Sequence, residues 1–132
     1  MTEIALLTTA LLFGGMVLYS FGFAAFVVNA LPAETAGPLI RKAFPHFYLF
    51  VLGTSVIAAA LAAVTLNWPA VILLVSIAAT TIFARQVLMP AINAATDTGE
   101  KARFKRLHGL SVLITLAHIV AAGFVIVQLA AL

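Results

Sequence analysis

Residues 104–118 read FKRLHGLSVLITLAH, from Phe104 to His118, a basic stretch running directly into an apolar one. At about 100° per residue, His108, Ser111, Thr115 and His118 fall within an arc of roughly 80°. The segment therefore reads as a helix with one polar stripe. No charge follows it to the C-terminus, so the helix is expected to enter a membrane. In lipid such a stripe has to face other helices, bound water or a ligand.

The rest of the chain fits that reading. It has 132 residues, 64% hydrophobic and 8% charged, whereas a soluble domain carries roughly 25% charged residues. One all-α, polytopic membrane domain is expected. The net charge of +3 comes from a few basic residues in two connections rather than from a broad patch, so no nucleic-acid partner is expected. Without cysteine the chain can form neither a disulfide nor a thiolate metal site. Met1-Thr2-Glu3 lacks the basic start of a secretory signal and precedes a longer apolar run than such signals have, so the first helix is expected to be retained.

Four spans are predicted, at about residues 4–31, 47–66, 69–89 and 107–129, each near the ~20 residues that cross a bilayer. Gly15, Gly22 and Asn29 recur along one side of the first, and Ser55, Ala59 and Ala63 give the second a small face; both suit close helix packing. Tyr19, Phe23 and Phe26 form an aromatic side, read as packing or lipid contact in preference to cofactor stacking. Pro38 is expected to begin a separate interfacial helix, with Pro45 bending the chain into the second span. Asn67-Trp68-Pro69 is turn chemistry that splits the long apolar run. Arg85 lies about 24 Å along the third span, close enough to the headgroups to snorkel. Asp97-Thr98-Gly99-Glu100 reads as a capping box with Asp97 as N-cap.

All seven Lys and Arg residues lie after the first span or from the end of the third to the start of the fourth. The positive-inside rule then puts both basic connections in the cytoplasm and both termini outside, as in a bacterial-type inner membrane. Arg41, Lys42, Lys101, Arg103, Lys105 and Arg106 are expected to meet anionic lipid headgroups. The halves share a plan, and any repeat would be parallel, about an axis along the membrane normal.

Leu31-Pro32, Phe44-Pro45-x-Phe47-Tyr48, Pro90-Ala91-Ile92-Asn93 and Phe104-x-x-Leu107-His108-x-x-Ser111 together resemble the transmembrane protein 205-like family, also called domain of unknown function 4149. The resemblance spans nearly the whole chain and implies a four-helix, up-and-down membrane bundle. The architecture is also similar to that of four-helix copper-resistance and haem-pathway membrane proteins, a likeness of fold that carries no function.

His46 and His108 begin the second and fourth spans at one depth. If those helices are neighbours, two imidazoles could ligate haem b axially or hold a transition metal, with Arg85 near a propionate. The competing reading is two interfacial histidines bonded to headgroups. His118 lies about 15 Å further along and needs a hydrogen-bond partner, for which Ser20, Ser55, Thr80 and Thr81 are candidates; a second ligand or a proton relay is the alternative. No carboxylate lies within a span, which argues against a proton- or sodium-coupled carrier, and no hydrolytic constellation is visible. The expectation is a non-enzymatic accessory or structural subunit, packed on a larger membrane complex or on itself through Gly15, Gly22, Ser55 and Ala59. A haem or metal binder and an efflux component are the alternatives.

Overall fold

The structure, a computed structural model, describes residues 1–131. Its framework is four rods, Thr2–Ala30 (α1), Ala33–Val64 (α2), Trp68–Asp97 (α3) and Lys101–Ala130 (α4), each long and apolar enough to cross a membrane. No strand occurs among the described residues. The short turns make consecutive rods antiparallel, and contacts run α1 to α2, α2 to α3, α3 to α4 and α4 back to α1. This is an up-and-down bundle. α2 and α4 stand on its diagonal.

The proline-bearing segment before the second span is not a separate interfacial helix. It is the first part of α2, which runs unbroken through Pro38 and Pro45. Pro38, in the second turn, and Pro45, deeper in the helix, each forfeit one backbone bond. Neighbouring rods brace that place. The Tyr19 hydroxyl donates to the Ala43 carbonyl at 2.8 Å, and Arg85 Nε donates to the Pro45 carbonyl at 3.3 Å. Tyr19 also stacks on Phe47 and meets Phe44 edge-on, with ring centroids 4.8 and 5.6 Å apart. The aromatic side of α1 is thus mostly packing, with Phe26 exposed.

α3 likewise runs past Pro90 to Asp97. A wide π-helical turn over Ala84–Leu88 precedes the proline and accommodates the lost backbone bond. The capping-box reading of Asp97 is corrected too. Glu100 N–H donates to Ala95 at 2.9 Å and Gly99 N–H to Thr96 at 3.2 Å, while Gly99 has φ +72°. That is a Schellman C-cap ending α3, which satisfies late carbonyls instead of opening a new helix. At the other end of the molecule Asn67 does cap α3, accepting from Ala70 N–H at 3.3 Å.

The halves are built alike. α1 buries Ala5, Thr9, Leu12 and Met16 before a π turn over Leu18–Phe23. α3 buries Ala70, Leu74, Ile77 and Thr81 at the same spacing before its own π turn. Ser55, Ala58 and Ala62 of α2 correspond in spacing to Ala122, Val125 and Leu129 of α4. The shared spacing is that of helices each burying one face.

The core is fullest in the half away from the basic loops and continues into the other half through Phe47 and Tyr48 of α2 and Ala84 and Leu88 of α3. Leu12, Met16, Leu74, Ile77, Val125 and Leu129 are fully buried in the far half. Nothing in α4 before Ala122 is buried, and α1 buries only Val27 after Met16. α1 and α4 therefore pack at the far end and part towards the basic end.

Candidate functional site

Where α1 and α4 part they leave a crevice floored by α2. Its inner cavity, of about 390 Å³, is lined by Ser20, Phe21, Ala24, Ala25, Val28 and Asn29 of α1, Ile40, Phe44 and Tyr48 of α2, and His108, Ser111, Val112 and Thr115 of α4. A neck of about 120 Å³ past Arg41, Met89 and Asn93 shares His108 and Ile40 with an outer cavity of about 710 Å³ at the basic end. Arg41, Asn93, Thr96, Asp97 and Phe104 line that outer part beside Gly37 and Pro38. The walls are mostly apolar throughout, and charge is confined to the outer part, where Arg41 and Asp97 stand.

Each wall follows from the local sequence. Ile40, Phe44 and Tyr48 recur every fourth residue, which puts them on one face of α2. His108, Ser111 and Thr115 are the near part of the α4 stripe. Ser20 and Phe21 sit in the π turn of α1, and π turns recur at functional sites. Ser20 Oγ is buried with no hydrogen-bond partner, so the wall holds a polar atom that a ligand or water has to satisfy.

One charged pair closes the mouth. Arg41 Nη1 donates to Asp97 Oδ1 at 2.7 Å and Nη2 to Oδ2 at 3.0 Å. This fork is the strong, geometry-specific form of an ion pair, although both side chains are about half exposed. Phe104 lies parallel to the His108 ring, centroids 5.4 Å apart.

The predicted residues divide into several groups. His108, Ser111 and Thr115 share the crevice, whereas His118 turns to α3, where its Nε2 pairs with Thr80 Oγ1. Thr80 was one of the candidate partners. His46 is exposed and lies about 160° round α2 from Phe44 and Tyr48, on the face away from the crevice. Since α2 and α4 are also diagonal, the structure does not bring His46 and His108 onto one site. Arg85 bonds the Pro45 carbonyl and Gln86, and it lines none of the three cavities. These residues do not fit a two-histidine haem or metal site within one chain.

Gly15 lies against α2 within the bundle, because a side chain there would overlap the Phe50 ring. Ser55 and Ala59 are buried within the bundle. Gly22 is different: an added Cβ would meet only Leu18 of its own helix, at 3.0 Å, so no neighbouring rod approaches it. Of the expected headgroup cations, Arg41 is engaged by Asp97, and Arg103 reaches Glu100 at 3.9 Å. Lys42, Lys101, Lys105 and Arg106 are exposed.

Sequence reading gave Ser20 only as a partner for His118, did not place Tyr48 or Asn93 in a site, and did not pair Arg41 with Asp97. Tyr48 was visible as the continuation of Ile40 and Phe44. The ion pair had a weaker signal, one carboxylate and one guanidinium in the two connections at the same end.

The fold and the crevice define a polytopic four-helix membrane protein with a lateral cavity at its basic end. The chain belongs to the family described as Domain of unknown function (DUF4149), whose profile matches residues 7–101. That match takes in α1, α2 and α3 and stops at the first residue of α4, so Leu107, His108 and Ser111 lie outside it. No match was found among curated proteins or solved structures.

Proposed function

We propose that this is a non-enzymatic membrane protein that binds the hydrocarbon part of an amphiphile in the crevice between α1 and α4. The observation that carries the reading is the parting of these helices over the basic half alone, which leaves a cavity of about 390 Å³, within the ~300–1,000 Å³ of small-molecule sites. The cavity is mainly apolar, its polar groups, Ser20 among them, being ones that water or the ester oxygens of an amphiphile can meet, and Phe21, Val28 and Val112 at its sides are exposed, so an acyl chain can enter from the bilayer. A partner helix, ~10 Å across, would need a groove running the full height of the bundle.

Subunit packing through the small-residue faces has less support, since Gly15, Ser55 and Ala59 are spent inside the bundle. The packed far half also weighs against efflux through a single copy. By the positive-inside rule the crevice opens towards the cytoplasmic leaflet.

The test is native mass spectrometry of the purified protein with added phospholipid. One lipid should stay bound to the wild type, and Ala25→Trp, which fills the cavity from an exposed position, should reduce retention by about tenfold. Equal retention by both proteins would overturn the reading.

A further inference from the structure

We infer that the amphiphile carries a phosphate head with no cationic group of its own, and that Arg41 takes that phosphate by exchanging it for the carboxylate of Asp97. The inference rests on the crevice reading and adds the class of ligand. Among the described residues, Arg41 and Asp97 are the only Asp, Glu, Lys or Arg residues lining any of the three cavities. The crevice therefore offers an anion a single permanent cation, and that cation already holds two oxygens in fork geometry, at 2.7 and 3.0 Å. A phosphate presents oxygens that a guanidinium binds in the same way.

The pair is open to exchange. Its side chains are 46% and 57% exposed, so a competing anion can reach the guanidinium from solvent and replace one fork with another. The surroundings favour an incoming anion, because Lys42, Lys101, Lys105 and Arg106 stand exposed at the same end and attract negative charge. Depth agrees as well. A head at Arg41 leaves its chain to pass Phe44 and reach Tyr48 about 10 Å further in. Those two residues line the inner cavity with His108, Ser111 and Thr115. Asn93 and Thr96, beside Arg41 in the outer cavity, add polar groups at head level. A membrane phospholipid meets all of these demands, whereas free phosphate has no use for the apolar half.

The experiment is competitive native mass spectrometry on the full chain with phosphatidate, phosphatidylcholine and diacylglycerol of identical acyl chains. Phosphatidate should be retained about tenfold over the other two, the usual weight of a charge-assisted fork, and inorganic phosphate should not displace it. Arg41→Gln should abolish the preference, bringing phosphatidate retention down to that of diacylglycerol in the same protein. Asp97→Asn should raise phosphatidate retention, because it removes the competing carboxylate. Lys105→Gln with Arg106→Gln should lower the preference by no more than about twofold, since these residues only attract the anion and neither lines the crevice.

Equal retention of the three lipids, or a preference for the zwitterionic head, would overturn the phosphate assignment while leaving the crevice reading standing. Loss of phosphatidate in Asp97→Asn would also overturn it and make the pair a structural clasp. So would a preference that vanished with Lys105 and Arg106, or displacement by inorganic phosphate. Retention of no lipid at all would instead defeat the crevice reading itself.

Discussion

Phe50 of α2 lies over Gly15 of α1, with its ring where a side chain on residue 15 would stand. Gly14, one residue earlier, has nothing within 4 Å of an added Cβ. The two glycines therefore predict opposite responses. Gly15→Ala has to displace Phe50 and should cost roughly 1–3 kcal/mol, whereas Gly14→Ala should be neutral or slightly stabilising by helix propensity. Unfolding in mixed micelles measures both, and Phe50→Leu should relieve part of the Gly15→Ala penalty.

Two helix ends make a second pair. Leu66 ends α2 with φ 58°, and Leu66 N–H donates to Ala63 while Asn67 N–H donates to Ala62. The arrangement is the same as at Gly99, but the residue carries a Cβ. A left-handed conformation costs such a residue about 1–2 kcal/mol. Leu66→Gly should accordingly stabilise the bundle by up to about 1 kcal/mol, and Gly99→Ala should destabilise it similarly. Equal and opposite shifts in the unfolding midpoint are the expected result.

The architecture was legible because few residue types matter in lipid. Uncharged runs gave four helices, Asn67-Trp68-Pro69 gave a turn, and basic residues marked one end. The errors came from punctuation. Pro38, Pro45 and Pro90 read as helix boundaries, yet all three lie inside rods, where a π turn in α3 and bonds from Tyr19 and Arg85 brace the backbone. Gly99 read as the inside of a capping box because the sequence does not show which helix its turn closes. The site was half legible. His108, Ser111 and Thr115 formed a visible stripe, but which rods part and which helices are diagonal depends on three-dimensional packing, and that separated His46 from His108.

His118 illustrates what the deeper part of the stripe does. Its Nε2 pairs with Thr80 Oγ1, and that hydroxyl donates to the Ser76 carbonyl at 2.7 Å, so the imidazole N–H is the donor to Thr80. A double-mutant cycle of Thr80→Val and His118→Leu should give a coupling near 0.6 kcal/mol, typical of interhelical bonds in lipid. A coupling of zero would mean that the two side chains act independently.

Orientation can be tested directly because the chain contains no cysteine. Thr98→Cys stands at the basic end and Thr65→Cys at the other. In right-side-out vesicles an impermeant maleimide should label Thr65→Cys only, as the positive-inside rule requires.

The most direct measurement is photo-crosslinking with a phospholipid bearing a diazirine in its acyl chain, followed by peptide mapping of the labelled protein. The account predicts adducts concentrated on Phe21, Ala24, Val28 and Val112 and suppressed by Ala25→Trp. Label spread evenly over the lipid-facing surface, as heavy on Ile72 and Val120 as on the crevice walls, would contradict it.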